Sequence, residues 1–269
     1  MPGLAKAALG GNVRAAAQLM RDLDDRQPGA LEELRELYPA TGRAFVLGVT
    51  GNPGSGKSTV VDCLIERYRK QGKRVGVVAI DPTSPFSGGA ILGDRIRMQR
   101  HAEDDGVFIR SLATRGHLGG LSASTLDVLT ILGAAGFGTL LLETVGVGQD
   151  EVEVNRVADT VALIVAPGAG DAVQTLKAGV MEIAHLFVVN KADQPGADQV
   201  AREIEQMLGF KEHGPAHDAA EWTPPVVLAA ANEGRNIAAV VDAFDRHAAH
   251  LHATGEDLRR RRDRARLAI

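Results

Sequence analysis

The sequence predicts an α/β fold in which helices flank a mostly parallel central sheet, with further helices before and after it. From residue 43 onward, short apolar segments alternate with helix-like segments, which is typical of parallel strands joined by crossover helices. Two segments, 75–80 and 140–142, are uninterrupted apolar runs, as expected for strands covered on both faces. The predicted strands are residues 44–50, 73–80, 106–111, 138–143, 160–166, 185–190 and 225–230.

Composition places the chain among ordinary globular proteins. Its 269 residues, 45% apolar and 24% charged, suit one large α/β domain with appended helices. A net charge of −4 gives no reason to expect nucleic acid or an anionic membrane as a partner. Cys63 is the only cysteine, which excludes an internal disulfide and a cysteine cluster for zinc. No apolar run approaches the roughly 18 residues of a membrane span, so we expect a cytoplasmic protein.

The segments outside the alternating region are predicted to be helical. Apolar residues at helical spacing over 4–23 and again over 31–37 predict two helices, separated by Pro28-Gly29. A mitochondrial transit peptide is the alternative for the first, although three aspartates crowd its end and it lacks serine. We therefore divide the chain into an N-terminal helical segment (1–42), a nucleotide-binding domain (43–254) and a C-terminal helix (255–269).

A phosphate-binding loop follows the first predicted strand. Residues 51–58 match the pattern of a glycine, four residues and then Gly-Lys-Ser, between a strand and a helix. Glycines let backbone N–H groups surround the phosphates, and the positive end of the helix dipole faces the same anion. Lys57 can reach the β- and γ-phosphates, and the Ser58 hydroxyl can bind Mg²⁺. The predicted nucleotide-binding residues here are Gly51, Asn52, Pro53, Gly54, Ser55, Gly56, Lys57, Ser58 and Thr59.

Three acidic residues are predicted to complete this site. Asp81 and Glu143 close apolar strands, and Asp94 follows in the segment after Asp81. With Ser58, these carboxylates can hold Mg²⁺ or its waters, or orient an attacking water. A turn, a helix cap or a solvated strand end is the alternative role for such acids. Gly146 can donate its N–H to a γ-phosphate.

The residue after this glycine bears on the rate of hydrolysis. Small signalling G proteins have a water-positioning glutamine directly after that glycine, whereas this chain has Val147. We therefore expect slow intrinsic hydrolysis, with Gln149 as a substitute candidate.

Guanine specificity is predicted from the segment Asn190-Lys191-Ala192-Asp193, which closes the sixth strand. The Asp193 carboxylate can accept hydrogen bonds from guanine N1–H and the exocyclic amine, a pattern that adenine does not offer. After the seventh strand, the backbone of Ala230, Ala231 and Asn232 occupies the place where G proteins meet the guanine carbonyl. The expected cofactors are therefore GTP or GDP with Mg²⁺.

The chain resembles the MeaB/ArgK/MMAA family of GTPases, which are chaperones of adenosylcobalamin-dependent acyl-CoA mutases such as methylmalonyl-CoA mutase. The resemblance covers most of the chain. It rests on residues 37–43, 48–59, 81–85, 93–98, 143–149 and 190–193.

This resemblance implies that Lys57, Ser58, Asp81, Asp94 and Glu143 surround the nucleotide and Mg²⁺. It also implies switch segments at 81–98 and 143–153, with an additional switch at 168–177 that couples nucleotide state to the mutase. The implied partner is an adenosylcobalamin-dependent mutase. Whether the protein forms a homodimer stays open, because the family dimerises with help from a segment beyond the basic helix at 259–269.

Two other functions use the same loop. A nickel-delivery GTPase would be expected to carry Cys- or His-rich metal-binding segments, which this sequence lacks. A kinase would transfer phosphate to an acceptor.

Several side chains have structural explanations. Arg259 to Arg262 predict a solvated or partner-facing helix, and His247, His250 and His252 are expected to be exposed because they do not share one helical face. Cys63 is expected in the core, and Trp222 near a loop.

Overall fold

The computed structural model describes residues 3–81, 99–113, 123–144, 146, 150–168, 182–212 and 222–267. The strands within these ranges are β1 (Phe45–Thr50), β2 (Val75–Asp81), β3 (Val107–Ala113), β4 (Thr139–Glu143), β5 (Thr160–Val165), β6 (Leu186–Val189) and β7 (Val226–Leu228). They form one seven-stranded sheet in the order β3-β2-β4-β1-β5-β6-β7, and each neighbouring pair is parallel. The predicted α/β class and the seven predicted strands are confirmed.

Nine helices lie within the described ranges. They are α1 (Leu4–Leu9), α2 (Val13–Asp24), α3 (Ala30–Leu37), α4 (Lys57–Lys70), α5 (Ala123–Ala134), α6 (Asp150–Val157), α7 (Ala197–Glu212), α8 (Ile237–Thr254) and α9 (Glu256–Leu267). None of them combines the length and the apolarity needed to cross a membrane.

The single helix predicted over residues 4–23 is wrong, because two helices occupy that stretch. Gly11 has φ +83°, a left-handed conformation that glycine adopts without steric cost. The Asn12 side chain then accepts a hydrogen bond from Ala15 N at 3.1 Å and caps α2. The helical periodicity of the apolar residues continues across this break, which is why pattern alone did not reveal it.

Helices cover both faces of the sheet. On one face, α4 and α8 pack on β1, β2 and β5 through a cluster that includes Tyr68 and Phe244. On the other face, α1, α2, α3, α5 and α6 share a second cluster, and α7 packs on β5 and β6 in a third. Cys63 is half-buried against the first cluster. This layering leaves the carboxyl ends of the parallel strands as the place where loops converge.

The C-terminal helix α9 contacts the rest of the protein through polar groups, so two of the four arginines expected to be solvated or partner-facing, Arg260 and Arg261, are instead partly buried. Arg264 is 15% exposed, and its guanidinium donates to Val157 O at 2.5 Å and lies 3.3 Å from the Asp159 carboxylate. Arg260 lies 3.4 Å from Ala158 O. Arg259 and Arg262 are the exposed members of the run. Sequence did not reveal this because the acceptors precede these arginines by about a hundred positions.

The expectation that His247 is exposed is also wrong, since it is 1% exposed. Its ring lies 4.3 Å from the ring of His185, and Trp222 approaches it edge-on at 4.8 Å. His185 Nδ1 accepts a hydrogen bond from Val161 N at 2.9 Å. Burial, with the neighbouring His247 and Arg260, lowers the pKa of His185 to about 2. Burial, with Arg260 and His250, lowers the pKa of His247 to about 3.

Acid is therefore expected to destabilise the fold. Both histidines stay neutral in the folded chain but take up protons below pH ~6.5 when the chain is unfolded, so stability present above pH ~6.5 is lost as pH falls toward about 3. The free energy of unfolding from urea titrations should fall by up to about 1.4 kcal/mol per pH unit for each histidine. Replacing His247 with glutamine should flatten this dependence.

His252, with a side chain that is 86% exposed, supplies the matched control. His252→Gln should keep the steep loss of stability toward acid that belongs to the buried pair of His185 and His247. Comparison between variants also cancels the opposing contribution of Asp127, whose pKa burial and Asp24 raise to about 6. Equal slopes for the wild type, His247→Gln and His252→Gln would contradict the assignment.

Candidate nucleotide site at the carboxyl ends of the strands

The loop between β1 and α4 has a backbone conformation that requires glycine. Gly51, Gly54 and Gly56 have φ values of +136°, +80° and +90°. A Cβ atom at Gly51 would lie 2.1 Å from Ile164 O, so any side chain there would collide with backbone. Successive amides in such a loop form a concave set of N–H groups that suits an anion.

The start of α4 adds to this anion-binding character. The first turn of a helix presents N–H groups without intrahelical partners, together with the positive end of the dipole. Within the described residues, no side chain caps this end of α4. The hydroxyl oxygen of Ser55, a buried residue, has no hydrogen-bond partner among those residues. Loop and helix together can therefore hold a phosphate chain.

The Lys57 ammonium lies across the phosphate loop. The side chain is 7% exposed, and Nζ donates to Gly51 O at 2.8 Å and to Asn52 O at 3.2 Å. Gly146 lies against the same point, because a Cβ there would be 1.7 Å from Gly51 O and 2.8 Å from Nζ. Its φ of +81° also favours glycine. A buried positive charge is thus placed beside two backbone segments that can approach phosphate closely.

A hydroxyl and two carboxylates lie at neighbouring strand ends. Ser58 Oγ donates to Glu143 Oε1 at 2.6 Å, and these residues are 8% and 2% exposed. Asp81, 4% exposed, ends β2, which pairs with β4 where Glu143 is the last residue. Hard oxygen ligands of this kind suit Mg²⁺. The residues present therefore fit the predicted metal.

Asn190 connects three loops. Its Nδ2 donates to Ser55 O at 2.9 Å, and its Oδ1 accepts from Ala231 N at 3.1 Å. A Cβ at Gly56 would lie 2.3 Å from Nδ2, so glycine is required for this approach. The prediction had placed Asn190 against the ligand. The structure adds a positioning role that spans 135 residues of sequence and that no local pattern indicates.

The base-binding end of the site is formed by residues after β6 and β7. Asp193 is exposed, and Lys191 has φ +58°. Ala230 N donates to Arg235 O at 3.2 Å, while Asn232 is exposed in the turn Ala231–Glu233. The N–H groups of Ala230 and Ala231 are therefore already hydrogen-bonded, to Arg235 O and to Asn190 Oδ1. A guanine carbonyl would have to share these donors or displace their present acceptors.

One contact near the site was not anticipated. Arg100 lies with its guanidinium 2.5 Å from the Asp62 carboxylate on α4. His101 Nε2 lies 2.9 Å from the same carboxylate. The three residues tie the chain that follows residue 98 to the helix of the phosphate loop.

Some predicted residues lie outside the described part of the chain. These are Asp94, Val147, Gln149, most of the first switch segment, and residues 169–177 of the additional switch. The other predicted site residues are the last residues of β2 and β4, or lie in the loops that follow β1, β4, β6 and β7, or in the first turn of α4.

Comparisons with known proteins identify the family of this chain. Residues 14–269 match the family model described as methylmalonyl-CoA mutase-associated GTPase MeaB. A putative GTPase of Pyrococcus abyssi is 49% identical over 259 residues, which cover 94% of this chain and 78% of that protein.

Solved structures share the fold. The crystal structure of a LAO/AO transport system kinase has a TM-score of 0.78 at 27% identity, covering 97% of this chain and 79% of that one. HypB from Helicobacter pylori in complex with nickel has a TM-score of 0.50 at 18% identity, covering 84% of this chain and 94% of that one, which is a likeness of fold alone. The family model and the sequence relative together show that this chain belongs to the MeaB family of methylmalonyl-CoA mutase-associated GTPases.

Proposed function

We propose that this protein binds GTP and GDP with Mg²⁺, hydrolyses GTP, and uses its nucleotide state to gate cofactor loading or protection of an adenosylcobalamin-dependent acyl-CoA mutase. The observation that carries the nucleotide chemistry is the convergence of Lys57, Ser58, Glu143 and Gly146 at one loop. Residues separated by more than eighty positions meet there within hydrogen-bond distance, as in the 2.6 Å contact between Ser58 and Glu143.

The roles follow from chemistry and burial. The buried Lys57 ammonium is placed to neutralise charge on the β- and γ-phosphates, and preorganised charge is most effective where water is excluded. The Gly146 N–H is the proposed donor to the γ-phosphate. Ser58, Asp81, Glu143 and, outside the described residues, Asp94 are the proposed holders of Mg²⁺, which when bound would neutralise phosphate charge.

Guanine recognition is assigned to Asp193. Its exposed carboxylate follows Asn190, whose contacts hold the phosphate loop and the Ala231 turn together. This arrangement supports placing base and phosphates in one continuous site. An acid that pairs with guanine N1–H and its amine would leave adenine unmatched.

The mutase partner is supported by family membership, since the matching family model is described as mutase-associated. Hydrolysis is expected to be slow for the isolated protein, because Val147 occupies the position where signalling G proteins carry the water-positioning glutamine. A client that completes or reorders the site would then raise the rate.

The direct test is GTP hydrolysis by the purified protein, alone and with a cobalamin-dependent acyl-CoA mutase from the same source. We expect a slow basal rate that rises when the mutase is added and returns toward the basal value when the mutase is removed. A rate indifferent to the mutase would remove the client from the proposal and leave the hydrolase.

Two additions separate the alternative functions. Tight stoichiometric binding in a nickel titration would favour metal delivery. Transfer of the γ-phosphate from labelled GTP to an acceptor, without release of free phosphate, would favour a kinase.

A further inference from the structure

A cavity lies at the opposite end of the sheet from the phosphate loop. It measures about 70 Å³ and is lined by residues from the start of β1 and β4, from α5 and from α9. Val46 and Leu140, the second residues of β1 and β4, form part of its floor. Gly51 follows Val46 by five positions along the strand, which corresponds to about 16 Å. The cavity is therefore separate from the candidate nucleotide site.

The floor of the cavity is apolar and its mouth is basic. Val46, Leu126, Leu129 and Leu140 are buried side chains of the core. At the mouth, α9 contributes two guanidinium groups, those of Arg261 and Arg264. One water needs roughly 10–15 Å³ and a cavity of about 150 Å³ holds benzene, so this cavity suits a chain of about four carbon atoms.

Several arginines and few carboxylates meet where α9 contacts the body of the protein. Three arginines of this helix are partly or largely buried there, namely Arg260, Arg261 and Arg264. Two carboxylates face them, with Asp257 lying 3.8 Å from Arg261 and Asp159 lying 3.3 Å from Arg264. The remaining acids of α9, Glu256 and Asp263, pair along the helix with Arg259 and Arg266. Glu256 and Asp159 also lie near Arg260, which does not line the cavity, so Arg261 and Arg264 are the arginines that a ligand there would meet.

Hydrogen bonding at this contact is also incomplete. The Nε atoms of Arg260 and Arg261 are buried and have no hydrogen-bond partner among the described residues. Burying a guanidinium N–H without an acceptor costs free energy that an anionic oxygen would recover. Because Arg261 lines the cavity, an anionic group at the mouth can meet it while an apolar chain fills the space below.

We propose that this cavity binds a short-chain aliphatic monocarboxylate of about four carbons. The carboxylate lies against Arg261, with Arg264 beside it, and the chain lies among Val46, Leu126, Leu129 and Leu140. A much longer chain would extend beyond this cavity, and a neutral molecule without an acceptor leaves the buried Arg261 Nε unsatisfied. The site requires nothing of the nucleotide chemistry, so its test is independent of it.

Butyrate is the probe. Its binding to the full chain is measured by isothermal titration calorimetry or saturation-transfer difference NMR. We expect saturable butyrate binding. Acetate lacks the chain and n-butanol lacks the charge. Each should bind at least about tenfold more weakly than butyrate.

Variants then locate the site. Arg261→Gln keeps the length of the side chain but removes the charge, and should weaken butyrate binding about tenfold. Arg262→Gln, at the exposed neighbouring position, should bind butyrate as the wild type does. Gly133→Leu should also abolish binding by filling the cavity, because a Cβ at Gly133 points toward Ala44 Cβ at 3.4 Å and both residues line the space.

Two kinds of variant are used so that loss of the binding site can be distinguished from loss of the fold. If Gly133→Leu does not fold, as judged by circular dichroism, Arg261→Gln and its control still decide the question. The proposal is overturned if the wild type shows no saturable binding of butyrate, if n-butanol binds as tightly as butyrate, or if Arg261→Gln and Arg262→Gln have equal affinity.

Discussion

Replacing Lys57 with alanine is expected to lower the rate of GTP hydrolysis by at least about 10²–10³-fold, or about 3–4 kcal/mol of transition-state stabilisation. The ammonium is 7% exposed and is held across the phosphate loop by Gly51 O and Asn52 O. Its loss would remove the buried positive charge beside the β- and γ-phosphates. Single-turnover hydrolysis at saturating GTP measures the effect on the chemical step.

Lys70→Ala is the matched control for this variant. Lys70 lies at the other end of α4, where its ammonium makes an exposed ion pair with Glu66 at 2.6 Å. That change should leave the hydrolysis rate within about twofold, since exposed pairs contribute little. Hydrolysis by Lys57→Ala at the parental rate would show that the phosphate-loop assignment is wrong.

Replacing Asp193 with asparagine is expected to change the base specificity of the protein from guanine to xanthine. The Asp carboxylate can accept from N1–H and the exocyclic amine of guanine, whereas an asparagine amide would face that amine with its own donor. Xanthine carries a carbonyl at that position, which the amide can bind. We expect the affinity for GDP to fall by at least about 10²-fold and that for xanthosine diphosphate to rise.

This exchange distinguishes base recognition from a general loss of structure. A misfolded variant would lose both nucleotides, whereas the assignment requires the gain of xanthosine diphosphate. Asp198→Asn, an exposed acid in the first turn of α7, is the control and should keep the parental preference. An unchanged dissociation constant for GDP in Asp193→Asn would exclude this residue from base recognition.

Much of the fold was predictable because its signals are local. Predicted segments of six to eight residues located each strand to within two residues at either end. The spacing of glycine, lysine and serine at 51–58 indicated the phosphate loop, and its glycines have the left-handed φ values such a loop needs. These features depend on neighbours in sequence, which is why pattern reasoning finds them.

The predictions that were wrong involved contacts between distant segments. His247 packs against His185, and Arg260, a member of the predicted run, lies against the carbonyl of Ala158, so neither side chain is solvated as its own helix suggested. Helical spacing tells which residues share a face, but the burial of that face depends on what packs against it. The break in the first predicted helix was missed for a different reason, since glycine can continue or end a helix.

The sequence by itself determined the parallel α/β class, the loop that can hold phosphate and the strand ends where the acids lie. Only the tertiary structure decided the strand order and the contacts that build the sites. Ser58 meets Glu143 and Asn190 joins Ser55 to Ala231 because β4 and β5 flank β1, with β6 beside β5. The cavity beneath α9 likewise exists only because the helix docks through arginines onto a distant strand end. Local periodicity carries no information on which strands become neighbours, since that choice is made by packing the whole core at once.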